Sequence, residues 1–371
     1  MKFIVKKNEI EKAFSQSITL VPTRSIVQEL NNALFKLEKG KLTIYTTDLK
    51  ITLITVINIE SNDKGEIAVP IETIYQTIKS ISATDIQFSI DDETKKIKIK
   101  AGKGNYSISG INTENFPEIP KAVSENEVEF NTDQLRKIFK TVKFAINSEE
   151  KRISMSGAYL NFKNDKIIFV TTDGHRLVRY TIKNEKKNES QEIIIPLNTL
   201  SVVEKLITGE KTKISTNGKQ ISFYFDNSVI TSSLIEEKYP NYEAVIPLEN
   251  NLTLRVDKQE FISSIKRVSL YSSSTNYQIR LFLKNNEIQV SAKDVDFGKE
   301  AQEEVQCEYS GDEFEIGFNS QYLIEVASHI PGDDIIFKLQ TQSRAVILEP
   351  DTEKNTNENL LMLIMPLRLN A

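Results

Sequence analysis

Cysteine and histidine are nearly absent from this chain of 371 residues, which has one cysteine, Cys307, and two histidines, His175 and His329. A single thiol has no disulfide partner within the chain, and two imidazoles fall short of the usual His/Cys zinc set, so neither metal nor cofactor is expected. No apolar run is long enough to span a bilayer, and no amino-terminal leader pattern is visible. A soluble protein of a reducing, cytoplasmic setting with no membrane partner is therefore expected. There is also no Gly-x-x-x-x-Gly-Lys-Ser/Thr loop to hold nucleotide phosphates, so any ATP-driven step must come from another protein. Positive charge is not in excess, since 47 Lys and Arg face 52 Asp and Glu for a net charge of −5. Contact with nucleic acid would need a local basic surface.

What the chain does have is a threefold repeat. A short strand pattern leads into a helical one at Phe3–Val5 with Ile10 and Phe14, at Val128–Phe130 with Leu135 and Phe139, and at Leu254–Val256 with Phe261 and Ile265. The first apolar anchor moves from 10 to 135 to 261, steps of 125 and 126 residues. Each unit then holds a strand pair around a turn, at Thr46-Thr47-Asp48, Thr171-Thr172-Asp173 and Ala292-Lys293-Asp294. A second helix is expected to start at Pro70, Pro196 and Asn319, with proline inside the first turn and asparagine as a cap. Two amphipathic helices with mostly antiparallel strands make an α+β domain, helices on sheet. The expected boundaries fall where the apolar pattern lapses, giving domains 1–123, 124–249 and 250–371.

Two kinds of charged surface follow. The strand region of the first unit carries Lys95, Lys96, Lys98, Lys100 and Lys103, and that of the third carries Glu300, Glu303, Glu304 and Glu308. These are either solvated strand faces or a complementary head-to-tail contact. The first helices carry Lys6, Lys7 and Lys12, then Arg136, Lys137, Lys140 and Lys143, then Lys258, Lys266 and Arg267. In the second set Arg136, Lys140 and Lys143 share one helix face, which is open to solvent or to phosphates.

The stretch Ile167–Leu177, I-I-F-V-T-T-D-G-H-R-L, gathers the polar and flexible residues. Its β-branched start reads as a strand and Asp173-Gly174 as a turn whose side chains should face solvent. It is a plain hairpin tip or a rim that grips a ligand. A hydrolase or nuclease using Asp173 and His175 is the catalytic alternative. However, the Asp-x-His spacing does not orient the two groups, and no Ser or Cys nucleophile motif accompanies them. His329, near the end of a helix pattern, reads as packing or a favourable interaction with the helix dipole.

Four motifs in order, N-F-P-E-I-P at Asn115–Pro120, T-T-D-G-H-R-L at Thr171–Leu177, Y-P-N-Y at Tyr239–Tyr242 and M-P-L-R-L at Met365–Leu369, make the whole chain resemble the bacterial sliding clamp family, the beta subunit of DNA polymerase III. The resemblance implies a non-enzymatic processivity factor: three clamp domains per chain, helices inside and sheets outside, and a head-to-tail homodimeric ring around duplex DNA. A repeat scaffold that never closes is the structural alternative. Implied partners are the polymerase III catalytic subunit, an ATP-dependent clamp loader, and other replication and repair proteins with a short clamp-binding peptide.

Residue by residue, the family's docking pocket matches Leu160, Thr172, Gly174, His175, Arg176, Leu177, Pro240, Val245, Asn319 and Tyr322, with the tail Met365, Pro366, Leu367, Arg368 and Leu369. Arg24 and Tyr159 match positions that approach DNA, beside Arg136, Lys137 and Lys140, whereas Asn198 stands where a basic residue is common. The dimer contact would use Lys96, Lys98, Tyr106, Ile108, Leu270, Glu300, Glu303 and Glu304. The chain departs from the pattern at Ala244, where arginine is common, and at Asn276 and Ser343, where apolar residues are common. The extension Asn370-Ala371 is a further departure. A more polar groove with a shifted peptide preference is expected.

Overall fold

Each repeat opens with a strand that runs directly into a helix, because alternating apolar residues give way to apolar residues at helical spacing. A computed structural model describes residues 1–22, 27–147, 152–184, 190–351 and 357–369. The first repeat comprises β1 (Lys2–Lys6), α1 (Lys7–Ile18), β2 (Asn32–Glu38), β3 (Lys41–Thr47), β4 (Ile51–Asn58), β5 (Gly65–Pro70), α2 (Ile71–Ser80), β6 (Asp85–Ile90), β7 (Lys96–Ala101) and β8 (Gly104–Ser109). The second runs β9 (Val128–Asn131), α3 (Thr132–Val142), β10 (Gly157–Phe162), β11 (Lys166–Thr172), β12 (Arg176–Lys183), β13 (Gln191–Pro196), α4 (Leu197–Leu206), β14 (Lys211–Thr216), β15 (Gln220–Phe225) and β16 (Ser228–Ser233). The third runs β17 (Leu252–Asp257), α5 (Lys258–Ser269), β18 (Gln278–Lys284), β19 (Glu287–Asp294), β20 (Lys299–Gln306), β21 (Phe314–Asn319), α6 (Ser320–His329), β22 (Asp334–Leu339), β23 (Val346–Pro350) and β24 (Glu358–Ile364).

Helix α3 shows how the pattern becomes packing. Leu135, Ile138, Phe139 and Val142 recur at i, i+3, i+4 and i+7, and each is fully buried. The Phe139 ring meets Phe169 of β11 edge-on at 6.1 Å, and burying one such side chain is worth about 2 kcal/mol. Equivalent pairs are Phe14 with Phe35 at 5.6 Å and Phe261 with Phe337 at 5.2 Å. Side-chain caps fix the helix starts: Asn131 Oδ1 accepts from the N–H groups of Asp133 and Gln134, and Asp257 Oδ1 from that of Glu260. Asn319 caps α6 as expected, accepting from Gln321 and Tyr322. The two prolines differ from expectation. Pro70 and Pro196 are the last residues of β5 and β13, and Pro70 sits at the helix cap, so its fixed φ ends the strand instead of filling the first helical turn.

Among the described residues every paired strand is antiparallel to its neighbours, in two sheets of eight and two of four. One eight-stranded sheet has the order β5-β2-β3-β4-β16-β15-β14-β9 and the other β13-β10-β11-β12-β24-β23-β22-β17. Both are built from two four-stranded halves, one per repeat, joined by β4 with β16 and by β12 with β24. The halves left over are β1-β6-β7-β8 and β20-β19-β18-β21, in which β8 and β20 remain edge strands. The chain accordingly forms two compact units, residues 1–137 with 198–234, and residues 138–197 with 235–371. The second repeat divides between them because each of its half-sheets completes a different eight-stranded sheet. The stretches 121–127 and 248–251 contain neither helix nor strand.

Candidate functional site

The turn after β11 is tied by its own side chains. Thr172 Oγ1 accepts from the Gly174 N–H at 3.1 Å and donates to the Arg176 carbonyl at 2.7 Å. Asp173 Oδ1 accepts from the N–H groups of His175 and Arg176 at 2.9 and 3.0 Å. Gly174 takes φ +91°, a region open to glycine. The expectation that these side chains face solvent holds for His175 only. Arg176 is 7% exposed, because its Nε pairs with Asp173 Oδ2 at 3.1 Å, Nη1 pairs with Glu325, and Nη2 donates to the Phe144 carbonyl at 3.2 Å. Both Asp173 oxygens are thereby engaged, and the His175 ring stacks on Tyr322 at 5.4 Å instead of turning to the carboxylate. No acid–base pair exists in this turn.

The carboxyl-terminal segment is threaded past the turn. The Met365 N–H donates to the His175 carbonyl at 2.8 Å and the Leu367 N–H to that of Gly317 at the same distance. Glycine at 317 suits this approach, since a Cβ there would lie 3.0 Å from the Leu367 carbonyl oxygen and 2.6 Å from Leu369 Cδ2, which would have to move. The backbone is held while side chains stay out: Met365 is 39% exposed and Val245 is 51% exposed. Both line a cleft of about 570 Å³ with Ala244, Leu248, Arg344 and Ala345. Its apolar base is a cluster on one face of the second eight-stranded sheet, containing Leu177, Leu363, Ile347, Tyr239 and Tyr242. A second cleft of about 590 Å³ carries Leu369 and Asn276, together with Lys293, Val295 and Glu300.

The docking residues expected from sequence divide by what their side chains can reach. Thr172 and Leu177 are buried, Leu177 in the cluster at the groove's base, while Pro240 and Arg368 are exposed and Pro366, Leu367 and Leu369 half-buried. The Asn319 side chain caps α6, and Tyr322 supports His175. Leu160 is misplaced by the sequence reading. In β10 Tyr159 lies on the groove face, so Leu160, one residue on, points to the opposite face and is fully buried. Ala244 and Asn276 each line one of the two clefts, and Ser343 is exposed beside Arg344. Asn370 and Ala371 lie outside the described residues. Arg344 and Leu248 were missed; the only sequence signal for Leu248 is an apolar residue in a boundary stretch.

The DNA-contact expectations change more. Arg24 lies outside the described residues. Tyr159 is 7% exposed, stacked on Tyr239 at 5.0 Å with its hydroxyl accepting from Asn161, so its ring belongs to the groove's base. Burial raises the pKa values of Tyr159 and Tyr239 and pushes Tyr242 up to about 12. Arg136 caps the end of α4 instead of projecting from α3: Nη2 donates to the Ile207 carbonyl at 2.6 Å, Nε to Glu204 at 3.4 Å, and Nη1 pairs with Asp133. The same device recurs where Lys7 Nζ donates to the Lys79 carbonyl and Lys258 Nζ to Ile330 and Gly332. Arg267 forms a bidentate pair with Glu303 at 2.8 and 2.6 Å, which lowers the Glu303 pKa. Lys137, Lys140 and Lys266 are exposed.

The interface expectations fall on edge strands or beside them. Tyr106 is 41% exposed and Ile108 half-buried on β8, and the exposed Lys96 and Lys98 lie on neighbouring β7. Glu300 and Glu304 are exposed on β20, Glu303 faces Arg267, and Leu270 at the end of α5 is 73% exposed. Val295 and Phe297, 78% and 73% exposed in the turn before β20, were not foreseen. Among the described residues no group of three His, Cys, Asp or Glu side chains could hold a metal, and no helix is long and apolar enough to cross a membrane.

A thrice-repeated α+β domain with a peptide-sized groove beside its carboxyl-terminal segment defines a clamp-type protein. Models of the N-terminal, central and C-terminal domains of the DNA polymerase III beta subunit match residues 1–120, 129–241 and 243–368. The chain belongs to that family, the bacterial sliding clamps, and is a non-catalytic processivity factor of DNA replication. It is 26% identical to the beta sliding clamps of Caulobacter vibrioides and Pseudomonas aeruginosa, with full coverage of each chain. Among solved structures, the DNA polymerase III subunit beta of Pseudomonas aeruginosa superposes with a TM-score of 0.93 at 25% identity over the full length of both. That of Thermotoga maritima, at 21% identity and a TM-score of 0.88, shares the fold.

Proposed function

We propose that two copies of the chain, each of three domains spanning 1–123, 124–249 and 250–371, close head to tail around duplex DNA and tether polymerase through the groove. The observation that carries the tether is the cleft beside Met365, where the backbone is fixed by His175 and Gly317 while the Met365 and Val245 side chains stand free to meet a ligand. A short peptide with leucine and phenylalanine side chains fits that base, and the flexible thioether lets several partners share it. Those partners are the polymerase III catalytic subunit, an ATP-dependent clamp loader, and other replication and repair proteins, in the cytoplasm. Tethering raises the polymerase's local concentration at the primer end without altering its chemistry.

Closure is supported by the pattern of joints. Repeats join through β4 with β16 and β12 with β24, and β8 and β20 are the strands in equivalent positions still lacking a neighbour. Lysines near one edge and glutamates on the other steer such a pairing between chains, with Tyr106, Ile108 and Leu270 as its apolar part. Sequence-independent phosphate contact falls to the exposed Lys140, since the Arg136 fork is engaged with α4. Retention on circular DNA with loss from linear DNA tests encirclement, and equal release from both would overturn it. Calorimetry with a synthetic Gln-Leu-Ser-Leu-Phe peptide tests the groove: deleting Met365–Ala371 should abolish binding while sedimentation still reports the dimer.

A further inference from the structure

The two histidines of this chain stand at opposite ends of one stack. The His175 ring lies on Tyr322 at 5.4 Å, the Arg176 guanidinium lies over Tyr322 at 4.7 Å and over Phe144 at 5.1 Å, and Phe144 stacks on His329 at 4.0 Å and 16°. A planar guanidinium can gain from stacking with more than one ring, which an ammonium group does not match. Its edge is equally occupied, by Asp173, Glu325 and the Phe144 carbonyl. Arg176 is thus buried among two rings, two carboxylates and a carbonyl, while its neighbour His175 holds the Met365 backbone at the groove. At the far end, His329 Nδ1 is 2.8 Å from the Glu325 carbonyl on the same helix.

We propose that Arg176 is a positioning residue for docking: it sets the His175 rim and the Met365 segment against α6 through the stack, and makes groove occupancy felt at His329. This rests on the groove reading. A chain of packed side chains is one route by which such coupling is carried, and the test is whether both ends respond together. The probe is the Gln-Leu-Ser-Leu-Phe peptide, with calorimetry for affinity and proton–carbon NMR for the histidine rings, whose two signals are assigned by removing either ring. In the unaltered dimer both signals should move in parallel with peptide saturation. Arg176→Lys, which keeps the charge but loses the planar face, should weaken affinity about tenfold and leave the His329 signal still. His329→Ala, a change remote from the groove, should weaken affinity about threefold with an unchanged dimer. A His329 signal that ignores the peptide, or Arg176→Lys binding as tightly as the parent, overturns the proposal. Absence of binding by the unaltered protein overturns the groove itself, and the two failures are told apart by that first titration.

Discussion

The turns at Thr47–Thr52 and Thr172–Leu177 have the same backbone and different consequences. In the first, Thr47 Oγ1 accepts from the Leu49 N–H and donates to the Ile51 carbonyl, both at 3.0 Å, while Asp48 Oδ1 accepts from Lys50 and Ile51 at 2.9 and 2.7 Å. Position for position this is the network of Thr172 and Asp173. Threonine and aspartate thus fix the loop, and the next three residues are released to do something else. In the first turn they are Leu49, Lys50 and the buried Ile51; in the second they are Gly174, His175 and Arg176, which build a stack and hold a chain segment. Local chemistry sets the shape, and the residues it leaves unused set the role.

Exchanging the fifth positions should break the comparison most severely. Arg176→Ile leaves the Asp173 carboxylate, whose side chain is 14% exposed, without its cation, and a loss of about 3 kcal/mol is expected in urea denaturation. The reciprocal Ile51→Arg buries a guanidinium where Ile51 is 1% exposed and should cost at least as much. A smaller asymmetry should separate Asp173→Ala from Asp48→Ala, about 2 against about 1 kcal/mol, because only the former also releases an arginine. Smaller still is the third position. Leu49 holds φ +77° and Gly174 φ +91°, so Leu49→Gly should gain up to about 1 kcal/mol and Gly174→Ala lose about as much, read as opposite shifts of the urea midpoint.

A last effect appears only in alkali, beneath the second turn. Burial keeps Tyr159, Tyr239 and Tyr242 protonated above the ordinary tyrosine range. A raised folded pKa means the unfolded chain releases protons first, so this contribution is intact below about pH 10 and declines as pH rises through about 12. Phenolate absorbance should show a late step coinciding with unfolding.

Sequence reached the repeat, the strands, the Asn319 cap and the neighbourhood of the Met365 cleft, because these are written in periodicity, turn chemistry and ordered motifs. It failed where a long side chain had a choice. A turn signal at Asp173-Gly174 reports backbone direction but not that Arg176 finds Glu325, 149 residues away. Arg136 reads as an exposed helix cation until α4 ends beside it, 71 positions later at Ile207. The resemblance assigns Leu160 and Tyr159 to different sites, which strand alternation allows; that Tyr159 and not Leu160 turns to the groove's base depends on what packs against each face of β10, which the strand alone does not carry.

The joints between repeats carry a mechanical consequence. The pairing of β4 with β16 and of β12 with β24 is backed by continuous polypeptide, so parting either strains a covalent tether. A joint of the same geometry made by β8 and β20 of separate chains has no such tether. In the proposed pair of chains that seam is therefore the one expected to part first under load, with both subunits still folded, and such an opening needs no dedicated hinge sequence because it lies where the polypeptide is interrupted.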